Sequence, residues 1–173
     1  MSPGLDHLWA GWRSSYISQA TAAAEGRADG AEPCVLCGLI APGGDDRERR
    51  VVWRGRLAAA VLNAYPYTSG HLMVLPTRHV GQLEDLSGDE AGELWDGVRQ
   101  AVAAIKGAYR PGGINLGANL GRAAGAGVPD HLHVHALPRW GGDTSFMTTV
   151  ADARVLPEPL DETWSKLREA WPR

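Results

Sequence analysis

The sequence predicts an α+β domain in which an antiparallel sheet of about five strands is covered by one long helix, with N- and C-terminal arms outside it. Three observations carry this expectation. In His131-Leu132-His133-Val134-His135-Ala136, imidazoles alternate with apolar side chains at the period of a β-strand. Ser87-Gly88-Asp89-Glu90 is a capping box that opens a run of helically spaced apolar residues. Residues 50–53 and 57–62 are strand-like runs separated by Gly55-Arg56, as in a tight hairpin.

At 173 residues and 44% apolar composition, the chain suits one domain with an ordinary core plus arms. We expect an N-terminal arm and linker over 1–32, a domain over 33–150 and a C-terminal tail over 151–173. A formal charge of −3 provides no broad basic footprint, so nucleic acid is not expected as a partner and any phosphate site must be local. The N-terminus lacks a basic region leading into an apolar run, and no stretch reaches the roughly 18 apolar residues of a membrane span. A cytoplasmic protein without a membrane partner is the expectation.

Taken in order, Trp9, Trp12 and Tyr16 are spaced three and four apart, as on one face of a short helix. Residues 20–32 are rich in Ala and Gly and read as a linker. Cys34-x-x-Cys37 follows Pro33 and reads as a short turn offering two thiolates to one metal ion, half of what tetrahedral zinc requires. A redox role would need the pair to open a helix after a strand, and nothing around Gly38 reads as that helix.

After the hairpin, Asn63 to Gly70 has turn chemistry and His71 to Pro76 reads as a buried strand, making three antiparallel neighbours. Asn63 either caps its own turn or binds a ligand through its amide. The helix from Ser87 runs to about Tyr109, with Ala91, Leu94, Trp95, Val98, Ala101, Val102 and Ile105 facing the sheet and Glu93, Asp96, Arg99 and Lys106 facing water. Residues 114–120 read as a fourth strand. Gly121 to Gly127 is a small-residue loop whose bare backbone can approach a phosphate. The triad strand follows, then Pro138 to Met147, and Trp164, Leu167 and Trp171 mark a short docked helix.

Three of six histidines fall within five positions. A His-rich polar strand face is the plain alternative, but such a face is more naturally furnished with Thr, Lys or Glu. With Ala136-Leu137 completing it, the pattern His-φ-His-φ-His-φ-φ (φ apolar) resembles the signature of the histidine triad superfamily of nucleotidyl hydrolases and transferases. The aromatic pattern of 8–17 and the stretch Arg139-Trp140-Gly-Gly-Asp143 resemble its subgroup similar to diadenosine tetraphosphate phosphorylases.

The resemblance implies a histidine triad fold, and a homodimer whose sheets join edge to edge. It makes His133 the nucleophile, forming a nucleotidyl-histidine intermediate, with its other nitrogen held by the His131 carbonyl. His135 would donate a hydrogen bond or proton to oxygen at the reacting phosphate, and Asn63 would bind the ribose. Asn119, Gly121, Ala124 and Gly125 match the phosphate-side loop, with Gly127 beside them. Cys34, Cys37, His79 and His131 would hold a structural zinc ion.

The implied function is cleavage of a phosphoanhydride or phosphoramidate bond of a purine nucleotide, most naturally an adenosine dinucleoside polyphosphate. A phosphorylase that hands the nucleotidyl group to inorganic phosphate is the alternative, and a non-catalytic, zinc-stabilised nucleotide-binding module is another. The chain departs from both catalytic branches at Ala126 and Gly127, which lack the Gln or Ser side chain common there. Arg139 is a further candidate phosphate contact.

Overall fold

The computed structural model describes residues 34–143 and 157–172. The aromatic arm, the linker and the end of the 138–147 stretch lie outside the described residues. Five strands form one antiparallel sheet: β1 (Val51–Arg54), β2 (Ala58–Leu62), β3 (Leu72–Pro76), β4 (Gly113–Gly117) and β5 (Val134–Arg139), in the order β1-β2-β3-β5-β4. β2 and β3 are buried on both faces, which explains their unbroken apolar sequences. Alternation divides their side chains: Ala60, Leu62, Leu72 and Val74 enter one cluster, and Ala59, Val61, Met73 and Leu75 another. A bulge between Val51 and Trp53 lets Val52 and Trp53 both join the first cluster.

The first cluster lies under helix α2 (Gly88–Tyr109). Ser87 accepts the amide of Glu90 and Glu90 returns to the amide of Ser87, so the expected capping box is formed. The buried stripe is Leu94, Gly97, Val98, Ala101, Ala104 and Ile105; of the expected face, Ala91 and Val102 are only half-buried and Trp95 is not part of it. Trp95 is 52% exposed, its place taken by Gly97, where a Cβ would stand 2.9 Å from Val74 and 3.0 Å from Trp53. The helix therefore approaches the sheet through a glycine, and a tryptophan there has no room. Glu93 is not merely solvated: its Oε1 accepts the Leu57 and Ala58 amides at 2.7 and 3.1 Å, fastening the β1–β2 hairpin to the helix.

The opposite face carries a helix where a bare turn is expected. Helix α1 (Val35–Ile40) begins at Cys34 as its N-cap, and Leu36 and Ile40, four apart, are buried on the second cluster. Six residues around Gly38 are too few for a periodicity to register in sequence. Helix α3 (Leu160–Ala170) packs Leu167, with Trp171 just beyond it, into the first cluster. Its Trp164 and Arg168 donate to the Val51 and Val52 carbonyls at 2.9 and 2.6 Å, so the β1 edge is covered. At the other edge, β4 is exposed at four of its five residues.

The triad strand also starts later than expected. β5 begins at Val134, and the Leu132 amide donates to the Val80 carbonyl, just past β3, at 2.7 Å. The alternation persists nonetheless. Leu132, Val134 and Ala136 enter the helix-side cluster, and His135 lies opposite Met73 of the other face.

Candidate functional site

Two histidine clusters meet on the face opposite α2. In the first, α1 brings Cys34 and Cys37 to His79, just past β3, and to His131, just before β5. Cys37 Sγ lies 3.3 Å from His79 Nδ1 and 3.4 Å from His131 Nδ1, and Cys34 Sγ lies 3.5 Å from His131 Nδ1. All four donor atoms lie within 4.8 Å of one another. Tetrahedral zinc with two thiolates and two imidazoles needs sulfur–nitrogen separations of about 3.5 Å, so the donor set and spacing fit a metal ion. His131 Nε2 is 2.9 Å from the Pro76 carbonyl, which can only accept, so the proton sits on Nε2 and Nδ1 is free to ligate. Burial holds His131 below the ordinary imidazole range and pushes the Cys37 thiol up; a cation reverses the second effect. Among the described residues, His131 is the one triad member in this cluster.

The second cluster is a chain of imidazoles. His133 Nδ1 lies 2.8 Å from the His131 carbonyl, so it donates there and leaves Nε2 with its lone pair. The His133 side chain is buried, and its ring stands edge-on to His135 with centroids 4.9 Å apart. His135 Nδ1 is 2.9 Å from Nε2 of His71, a residue to which sequence reasoning assigned no role. The Tyr67 amide donates to His71 Nδ1 at 3.1 Å, which puts the His71 proton on Nε2. His71 then donates to His135 Nδ1, and neutral His135 carries its own proton on Nε2. Burial, followed by repulsion from His133, pushes His135 down to about 4, so near neutral pH it is an uncharged donor. A histidine immediately before an otherwise apolar strand was the available sequence signal for His71, which the structure buries completely.

The remaining expected site residues surround these rings. Asn63 Oδ1 accepts the Tyr65 amide at 2.9 Å, closing its own turn, while Nδ2 lies 3.4 Å from His71 Nε2. Gly117, the end of β4, pairs with His135, and the segment it starts leads through His131 and His133 to β5 at Val134. Within that loop Asn119 Nδ2 donates to the Gly125 carbonyl at 3.4 Å, and Gly121 and Gly125 have φ of +80° and +92°, which only glycine adopts readily. Gly127 is exposed. Arg139 is not an available phosphate contact: its guanidinium grips both Asp143 oxygens at 2.6 and 2.7 Å and Asn115 at 2.9 Å, closing the 139–143 turn.

An antiparallel α+β sheet with alternating imidazoles at one end defines the class, and comparison with known proteins gives the family. The HIT domain family matches residues 46–142, and the chain belongs to it. An "AP-4-A phosphorylase" of Mycobacterium tuberculosis is 42% identical over 171 residues, covering 98% of this chain and 86% of that protein. Among solved structures, a hypothetical histidine triad nucleotide-binding protein from Sulfolobus tokodaii has a TM-score of 0.63 at 31% identity, covering 79% of this chain and 91% of that one. A Zn-bound histidine triad family protein from Mycobacterium smegmatis has the same TM-score at 26% identity, with the same coverage. Among the described residues, no helix is long and apolar enough to cross a membrane.

Proposed function

We propose that the protein transfers a nucleotidyl group from a dinucleoside polyphosphate, of adenosine for preference, through a covalent intermediate on His133. One observation carries this: the hydrogen bond from His133 Nδ1 to the His131 carbonyl, which assigns the lone pair of the neutral tautomer to Nε2. Nε2 attacks the α-phosphorus, the P–O bond to the bridging oxygen breaks, and the remaining polyphosphate leaves with the electron pair. The Nε2 proton of His135, aligned by His71, hydrogen-bonds oxygen at that phosphorus where negative charge grows. An acceptor then attacks the nucleotidyl-histidine from the opposite side and restores the ring. Asn63 serves the ribose, and Asn119, Gly125 and Gly127 the phosphate.

Inorganic phosphate as acceptor is the reading favoured by likeness to the mycobacterial phosphorylase along nearly the whole chain. Water as acceptor gives the hydrolase. With diadenosine tetraphosphate, phosphate yields ADP and ATP, whereas water yields AMP and ATP. Product analysis with and without phosphate separates the two, and His133→Ala must abolish both. Undiminished turnover by His133→Ala removes the proposal; wild-type turnover no faster than background, with nucleotide binding unchanged in His133→Ala, leaves a nucleotide-binding module.

Cys34, Cys37, His79 and His131 would hold zinc, for which the Zn-bound neighbour and the donor geometry are the support. With four protein ligands such a site is closed, so the ion would anchor His131, and with it the carbonyl that orients His133, rather than touch substrate. The exposed β4 edge, with Leu116 49% exposed, supports a homodimer joined along that strand. Leu116→Lys should shift mass in solution from dimer to monomer. A cytoplasmic location completes the reading.

A further inference from the structure

We propose that Arg122 reads the leaving group, so that the enzyme selects substrates by the charge of the polyphosphate beyond the attacked phosphorus. This inference rests on the reaction proposed above. The loop that carries Arg122 leaves the sheet at Gly117, directly opposite His135, and the chain rejoins the sheet at Val134, the residue after His133. Both of its ends are thus fixed beside the reacting imidazoles. Val128, near its return, packs against the cluster on the histidine face, which holds the loop on that side of the sheet.

Within the loop, Arg122 opens a short 3-10 turn (Arg122–Ala124) fixed by Gly125 N–H donation to the Arg122 carbonyl at 2.9 Å. The rest of 121–127 is glycine and alanine, so Arg122 alone offers a charged donor side chain there. Its side chain is exposed, and among the described residues no ion pair or hydrogen bond engages its guanidinium, in contrast to Arg54, Arg78, Arg99 and Arg139. Open space surrounds the loop glycines: a Cβ on Gly117, Gly121, Gly125 or Gly127 would meet nothing within 4 Å. An exposed, uncommitted cation on a loop anchored at both ends beside the histidines suits a polyanion whose negative charge rises as the bridging bond breaks. Residue 122 therefore supplies the charged side-chain contact to phosphate that Ala126 and Gly127 have no polar group to make, beside the backbone of Gly125 and Gly127.

The test compares kcat/KM of wild type, Arg122→Gln and Arg122→Lys on diadenosine tri-, tetra- and pentaphosphate and on adenosine phosphoramidate, whose leaving group has no phosphate. Arg122→Gln should lower the ratio of tetraphosphate to phosphoramidate activity by about three- to tenfold, as expected for one largely exposed charge-assisted contact. The loss should grow with chain length, Arg122→Lys should restore much of the ratio, and the salt dependence of tetraphosphate turnover should flatten in Arg122→Gln alone. An equal change on all substrates, or none, overturns the role of Arg122 while adduct formation on His133 stands. If His133→Ala retains wild-type rates, the underlying reaction fails and the role of Arg122 fails with it.

Discussion

At the scale of single residues, the chemistry is decided by which nitrogen of each imidazole holds a proton. The His131 carbonyl sets this for His133 and the Tyr67 amide sets it for His71, which passes it to His135. Replacing His71 with Phe removes the Nε2 donor and lets His135 take the opposite tautomer. We expect kcat to fall by about tenfold or more, with a smaller change in KM, in steady-state assays. His135 also ties stability to pH. Its folded value of about 4 lies below the unfolded value of about 6.5, so between them the unfolded chain binds a proton that the folded chain refuses. Its contribution is therefore complete above about pH 6.5 and is lost as pH falls through about 4. Thermal melts across that window should show a shallower slope for His135→Gln than for wild type; coincident slopes would contradict the assignment.

At the scale of elements, α2 illustrates what sequence conveys and what it conceals. Its start is written in Ser87 and Glu90 because a capping box is local. The exact stripe it buries is not, because Gly97 has no side chain to count and is buried only by what Trp53 and Val74 require across the interface. Two substitutions separate local from tertiary effects. Gly92→Ala, where a Cβ meets nothing within 4 Å, should stabilise by about 0.5–1 kcal/mol through helix propensity. Gly97→Ala gains the same propensity, yet its Cβ must displace a packed indole and a buried valine. Urea titration should show it to be net destabilising by about 1–3 kcal/mol. For α1 the signal was absent for a different reason: six residues give one buried pair, and the cysteines that open the helix draw the eye toward a metal-binding turn.

At the scale of the whole molecule, the cysteine–histidine cluster joins α1, the chain leaving β3 and the chain entering β5. Its four residues were legible through the family resemblance, since no spacing rule connects Cys34 to His131 across nearly a hundred residues. His71 acquires meaning only once β3 is seen paired with β5, with His135 opposite Met73. If zinc fills the cluster, elemental analysis should find about one ion per chain, and a strong chelator should lower the melting temperature while Cys37→Ser makes the chain insensitive to it. In the proposed reaction the sheet, the cysteine–histidine cluster and the imidazole chain together serve one bond, from Nε2 of His133 to phosphorus. Rapid quench of the enzyme with diadenosine tetraphosphate, followed by intact-mass and peptide analysis, tests that bond most directly. The account predicts a mass gain of one adenylyl group on the peptide holding His133, absent in His133→Ala; full turnover with no adduct at any quench time would contradict it.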